Sequence, residues 1–256
     1  MCGESKRRAS RPGPRPGPGY RDLMDRAPLP GEPGGPPPGG RAAGGPAGPA
    51  GPAPSDGDGP ARFGILFVCT GNLCRSPIAE RLTRAALGPD SPIVAASAGT
   101  DAVDGAPMST PAVHVLRQAG ADSDGFAARR LTAGIVREAD LVLTAAQSHR
   151  ARVARLHPRG AGRMFTIVEF GTLAAAVDAS TITCHADPVA RAGALLAAVR
   201  ARRGLVQVEQ PDIPDPYGAP AFAYRLTARR LTDALRVPLA LLTAPVTRRR
   251  PASAPC

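Results

Sequence analysis

Residues 69–76 read Cys-Thr-Gly-Asn-Leu-Cys-Arg-Ser, a cysteine and an arginine with five residues between them. Arginine offers a rigid, permanently charged fork that fits two equatorial oxygens of a phosphoryl group. Successive backbone N–H groups of Thr70, Gly71, Asn72, Leu73 and Cys74 can form a nest around the same anion. A thiol beside such a nest ionises more readily than a free one, which makes Cys69 a candidate nucleophile at its base. Gly71 lets the backbone come close or take positive φ. Asn72 tolerates a left-handed conformation, and its amide can tie the loop together. Ser76 can donate a hydrogen bond to the sulfur.

The flanking residues supply the elements that hold this loop. The apolar run Phe63-Gly-Ile-Leu-Phe-Val68 precedes it and reads as a strand. Pro77 and Ile78-Ala-Glu-Arg-Leu82 follow and read as a helix whose first turn accepts proline. A helix start adds partial positive charge where the anion would sit. Cysteine and arginine at this spacing occur often by chance. The strand before, Gly-Asn within, Ser-Pro after and the immediate helix make the pattern specific. It predicts a cysteine-dependent phosphatase.

Cys69 to Pro77 resemble the loop signature of the low-molecular-weight protein-tyrosine phosphatase family, Cys-x-Gly-Asn-x-Cys-Arg-Ser with proline next. Ser97-Ala-Gly-Thr100 is similar to the family's Ser-Ala-Gly element, which implies that Ser97 supports Asn72. Asp212-Ile-Pro-Asp-Pro-Tyr-Gly218 resembles its general-acid segment, with Asp215 as the acid. The likeness runs over about residues 63–245, with an unusual stretch near 174–210. It implies a four-stranded parallel sheet flanked by helices, and hydrolysis of phosphotyrosine through a phosphocysteine. Chemistry gives Asp215 the same role. The leaving oxygen of a phosphoester needs a proton as its bond breaks, and a carboxyl on a separate loop can supply it. That carboxyl can later activate the water that frees the cysteine. Pro216 and Gly218 turn the loop, and Tyr217 can wall the pocket.

The remaining chain reads as one α/β domain. Strands are expected at 93–97, 140–144 and 164–168. Helices are expected at 111–118, 131–138, 148–156 and 219–242, with a kink or break at Pro238. Strands alternating with helical periods argue a parallel sheet with crossover helices. Residues 1–61 are rich in Gly, Pro and Arg and are expected to be disordered. Residues 62–245 form the domain, with 174–210 an insertion or filler, and 246–256 a flexible basic tail.

The formal net charge is +11 across 256 residues, mostly from scattered arginines. These read as a solvated surface or as steering of anionic substrates, with no nucleic-acid-binding module. No apolar stretch is long enough to span a membrane, and the N-terminus lacks the apolar core of a signal peptide. A cytoplasmic location is expected, with a phosphorylated protein as the partner. The five cysteines give neither a disulfide framework nor a zinc spacing, so no metal or cofactor is expected. Cys74 is either a packed thiol or a redox partner of Cys69. The four histidines form no ligand cluster and read as structural or surface residues.

Substrate preference stays open between members of the family. Asp101-Ala-Val-Asp104 stands where an aromatic pocket wall is usual, Gly218 follows Tyr217, and Ala145 replaces a common methionine. Thr70 is shared by protein-arginine and bacterial tyrosine phosphatases of the family. Phosphotyrosine is the first reading and phosphoarginine the alternative. An arsenate reductase on the same fold would need two more cysteines close together. A phosphate-binding module without turnover would not need Asp215.

Overall fold

The computed structural model describes residues 61–246, so the expectations for the N-terminal segment and the basic tail lie outside the described residues. The first strand, β1, spans Phe63–Cys69. Its residues alternate between two buried faces, the period of a strand covered on both sides. Phe63, Ile65 and Phe67 pack into the larger core, and Leu66 and Val68 into a second one.

Three more strands complete the sheet: β2 (Ile93–Gly99), β3 (Leu141–Thr144) and β4 (Met164–Thr166). All pair in parallel, as expected, and their order is β2-β1-β3-β4. Helix α1 (Arg75–Leu87) crosses from β1 to β2, and α2 (Thr110–Gln118) follows. Short α3 (Ala133–Glu138) starts at Thr132, whose side chain accepts from the Ile135 N–H, and α4 (Gln147–Leu156) follows β3. Val136 of α3 and Val153 of α4 line the second core. Ile78 and Leu82 of α1 and Leu116 of α2 line the first.

The expected strand over 164–168 stops early for a local reason. Thr166 and Glu169 form a capping box, each side chain bonded to the other's backbone N–H at 3.0 and 3.1 Å. Ile167 therefore opens helix α5 (Ile167–Ala175) despite its β-branch.

The last helix runs unbroken over Ala221–Thr243 with Pro238 inside it. Pro238 cannot donate to the carbonyl of Ala234. There α5 makes a close approach, for a Cβ on Gly171 would stand 2.1 Å from that oxygen.

The stretch 174–210 belongs to the core. It carries α6 (Ser180–Thr183) and α7 (Pro188–Ala201), and the closing helix is then α8. Ile182, Leu195 and Val199 are fully buried in the larger core. Buried Arg191 donates to the carbonyls of Leu242 and Ala244 at the end of α8, which no helical N–H serves. Arg203 lies 3.8 Å from the Phe165 ring and donates to the Met164 carbonyl at the sheet's edge. Among the described residues, no helix is long and apolar enough to cross a membrane.

Candidate active site

Cys69 is the last residue of β1 and Arg75 the first of α1, so the loop spans a strand end and a helix start. The first N–H groups of α1 need no partner within the helix and can serve an anion held by the loop. The ends of β1 and β2 stand side by side, with Cys69 in register with Gly99. Thr100 and Asp101 donate backbone bonds to the carbonyls of Cys69 and Thr70, both at 2.9 Å.

Asn72 takes φ +55, the left-handed conformation expected of it. Gly71 does not take the positive φ offered as one of its two roles, and within the protein a Cβ there would meet only the Leu73 side chain at 3.5 Å. A close backbone approach falls instead on Gly99. A Cβ on Gly99 would stand 2.5 Å from the Thr70 carbonyl oxygen and 2.8 Å from the Asn72 nitrogen.

A buried chain of hydrogen bonds runs from α1 to the sulfur. Ser97 gives its one proton to Glu80 Oε2 at 2.6 Å. Ser97 must then accept, and Asn72 Nδ2 donates to it at 2.8 Å. The second proton of that amide goes to Ser76 Oγ at 2.9 Å. Ser76 is left to donate, with Cys69 Sγ 3.0 Å away and the Ala98 carbonyl at 3.4 Å. On the other side, the Arg129 N–H donates to Asn72 Oδ1 at 3.0 Å. Neither Glu80 nor Arg129 was expected at the site.

The loop carrying Asp215 is strapped over the end of β3. The Ile213 N–H donates to the Ala145 carbonyl at 2.8 Å, and Asp212 accepts from the Gln147 N–H at the start of α4. Arg75, buried on α1, reaches this loop with both terminal nitrogens. Nη1 donates to the Ile213 carbonyl at 3.3 Å, and Nη2 pairs with Asp215 Oδ2. Its Nε is buried without a protein partner. Asp215 keeps its side chain about half exposed, and its other oxygen accepts from the Tyr217 N–H. Tyr217 itself is exposed.

Leu73 and Cys74 turn their side chains away from the anion's expected position, so only their backbones are available to it. Leu73 packs against the larger core. Cys74 Sγ lies 3.1 Å from Ser109 Oγ and 3.9 Å from the Tyr224 hydroxyl. Burial pushes the Cys74 thiol up, against the opposing effect of those two hydroxyls.

His149 departs from the expectation of a plain structural or surface histidine. It is buried on the first turn of α4, with Nε2 2.9 Å from Thr70 Oγ1. The same oxygen accepts from Arg75 Nη2 at 3.3 Å. Burial first, and the Arg75 charge second, lower the His149 pKa to about 4. The available signal was its place just beyond β3, since ligands of parallel sheets bind at carboxyl strand ends. Among the described residues, no group of three or more His, Cys, Asp or Glu could hold a metal ion.

A parallel α/β sheet with a cysteine at the end of β1 and an arginine opening the next helix is the architecture of a cysteine-based phosphatase. Residues 64–202 match the low molecular weight phosphotyrosine protein phosphatase family, and the chain belongs to it. Asp215 and Tyr217 lie beyond the matched range. A probable low molecular weight protein-tyrosine-phosphatase, EpsP of Ralstonia solanacearum, is 40% identical over 105 residues, 41% of this chain and 70% of that protein. The crystal structure of the Erwinia amylovora tyrosine phosphatase AmsI is similar with a TM-score of 0.53. It is 26% identical, over 71% of this chain and 94% of that one. The YwlE arginine phosphatase of Geobacillus stearothermophilus is similar with a TM-score of 0.52. It is 25% identical, over 70% of this chain and 92% of that one. The chain is an enzyme of this family, a phosphoric monoester hydrolase.

Proposed function

We propose that the enzyme hydrolyses phosphotyrosine in proteins, with Cys69 as nucleophile, Arg75 as phosphoryl clamp and Asp215 as general acid. The sulfur of Cys69 attacks phosphorus, and the bond from phosphorus to the leaving oxygen breaks. Asp215 gives its proton to that oxygen, and a phosphocysteine remains. Water then attacks phosphorus and gives its proton to the Asp215 carboxylate. The sulfur–phosphorus bond breaks, inorganic phosphate leaves, and the cysteine is restored. The fork of Arg75 and the backbone N–H groups of the loop hold the equatorial oxygens as charge redistributes. Ser76 steadies the sulfur when it leaves in the second step.

The single observation that carries this reading is the pairing of Arg75, which closes the loop opened by Cys69, with the distant Asp215. The three residues come from β1, α1 and a loop 140 positions beyond the arginine. The contact between Arg75 and Asp215 must loosen when a phosphoryl group comes between them. The same reading puts the enzyme in the cytoplasm, where a reduced thiol persists.

A second reading, a protein-arginine phosphatase, is favoured by the likeness to YwlE. The arsenate-reductase alternative gains no support, because the Cys74 sulfur is engaged by Ser109 and Tyr224 in the fold's interior. Steady-state kinetics on matched phosphotyrosine, phosphoarginine and phosphoserine peptides test the choice. The first reading expects phosphotyrosine to have the highest kcat/KM. A preference for phosphoarginine would replace it with the second.

A further inference from the structure

Resting on the phosphatase reading, we propose that His149 is a positioning residue for phosphoryl binding. It donates its Nε2–H to Thr70 and so leaves the Thr70 hydroxyl proton for an oxygen of the bound phosphoryl group. Thr70 Oγ1 has two lone pairs and one proton. One lone pair is taken by Arg75 Nη2 at 3.3 Å. His149 Nε2, at 2.9 Å, either fills the second lone pair or takes the proton.

The surroundings of the ring choose between these. His149 is 7% exposed, and its Nδ1 is buried with no partner. A proton on Nδ1 would leave a buried donor unpaired, the rarer and costlier case. A bare Nδ1 leaves only an unpaired acceptor. A proton on both nitrogens is opposed by burial and by Arg75, which hold the pKa near 4. The ring is therefore neutral with its proton on Nε2. Thr70 sits exposed at the mouth of the loop, with both lone pairs occupied from within. Its one proton is directed by elimination toward whatever the loop binds.

The test uses the full chain and five variants: His149→Ala, His149→Phe, His149→Gln, Thr70→Ala and the double variant His149→Ala/Thr70→Ala. Three quantities are measured: kcat/KM on para-nitrophenyl phosphate, the protection of Cys69 from alkylation by inorganic phosphate, and the nitrogen-15 imidazole spectrum. His149→Ala and His149→Phe should lower kcat/KM and weaken phosphate protection by about 3- to 10-fold, the range of one hydrogen bond. The double variant should be no worse than Thr70→Ala, because His149 acts through that hydroxyl. His149→Gln places an amide N–H near the same point and should recover part of the loss. Nitrogen-15 imidazole spectra at neutral pH should put the proton on Nε2.

Multiplicative losses in the double variant, losses under twofold in both His149→Ala and His149→Phe, or a proton on Nδ1 would each overturn the proposal. His149→Phe keeps the ring volume, so the test survives a folding failure of His149→Ala. If the wild-type enzyme hydrolysed no phosphoester, the functional reading would fall. Phosphate protection and the imidazole spectrum would still decide the role of His149.

Discussion

Glu80 holds the proton of Ser97, and from that carboxylate the direction of each bond follows through Asn72 and Ser76 to the Cys69 sulfur. A nucleophile held in this way meets substrate without rearranging its partners, the preorganisation that favours charge movement in a buried site. Asp215 completes the set. Asp215→Ala should slow phosphoesters by roughly 10²–10⁴-fold, the usual loss of a general acid. The loss should shrink as the leaving group becomes more acidic, and an equal loss across a leaving-group series would place the acid elsewhere. His149 gives a pH prediction. Its ordinary value is 6.5 and its folded value about 4. Between these the unfolded chain binds a proton that the folded chain refuses. The stability present above about pH 6.5 is therefore lost as pH falls toward 4. The groups facing the ring are Arg75, Asp215, Asp212 and Asp101. His149→Gln should flatten melting temperature against pH in that window, and an unchanged slope would mean that the ring protonates freely in the fold. Cys69 to Ser76 were legible because they are contiguous. Glu80, Arg129 and His149 were not, because only the tertiary fold brings them to the loop.

At the scale of elements, two close approaches replace side chains with bare backbone. Gly99 lets the end of β2 lie against the phosphate loop, and Gly171 lets α5 lie against α8. Gly99→Ala would push a methyl into the Thr70 carbonyl and the Asn72 nitrogen, shifting the loop that holds the anion. Its kcat/KM should fall by about tenfold or more, since small misplacements are costly in catalysis. Gly171→Ala should instead lower stability by about 1–3 kcal/mol, as overpacking does, with kcat/KM unchanged in the folded enzyme. Melting curves and kinetics on both variants check the contrast, and a Gly99→Ala enzyme of full activity would contradict it. Neither clash is visible in sequence, since Gly99 lies 27 positions beyond Asn72 and Gly171 lies 63 positions before Ala234. The parallel sheet was legible from apolar runs alternating with helical periods, whereas the strand order β2-β1-β3-β4 was not read from the sequence. The early end of β4 was missed because apolar Ile167 and Val168 outweighed the capping pair Thr166 and Glu169.

Across the whole molecule, the stretch 174–210 separates the strands from the loop of Asp215 in sequence while joining the core in space. Its Ala-rich composition hid this, because alanines carry little apolar signal while Ile182, Leu195 and Val199 anchor the segment. Leu195→Ala should cost about 2–5 kcal/mol of stability, the range for emptying a buried leucine site. Its kcat/KM should match wild type at temperatures where both are folded. A loss of stability below 1 kcal/mol would mean that the segment is docked loosely. The proposed mechanism turns on the covalent step at Cys69. The most direct measurement is rapid acid quenching during turnover of an aryl phosphate, followed by mass spectrometry of the peptide that contains Cys69. A phosphoryl group should appear on Cys69, more abundant in Asp215→Ala if hydrolysis of the intermediate is slowed more than its formation, and absent in Cys69→Ser, which should be inactive. A Cys69→Ser enzyme that kept a substantial fraction of the wild-type rate would contradict the covalent step.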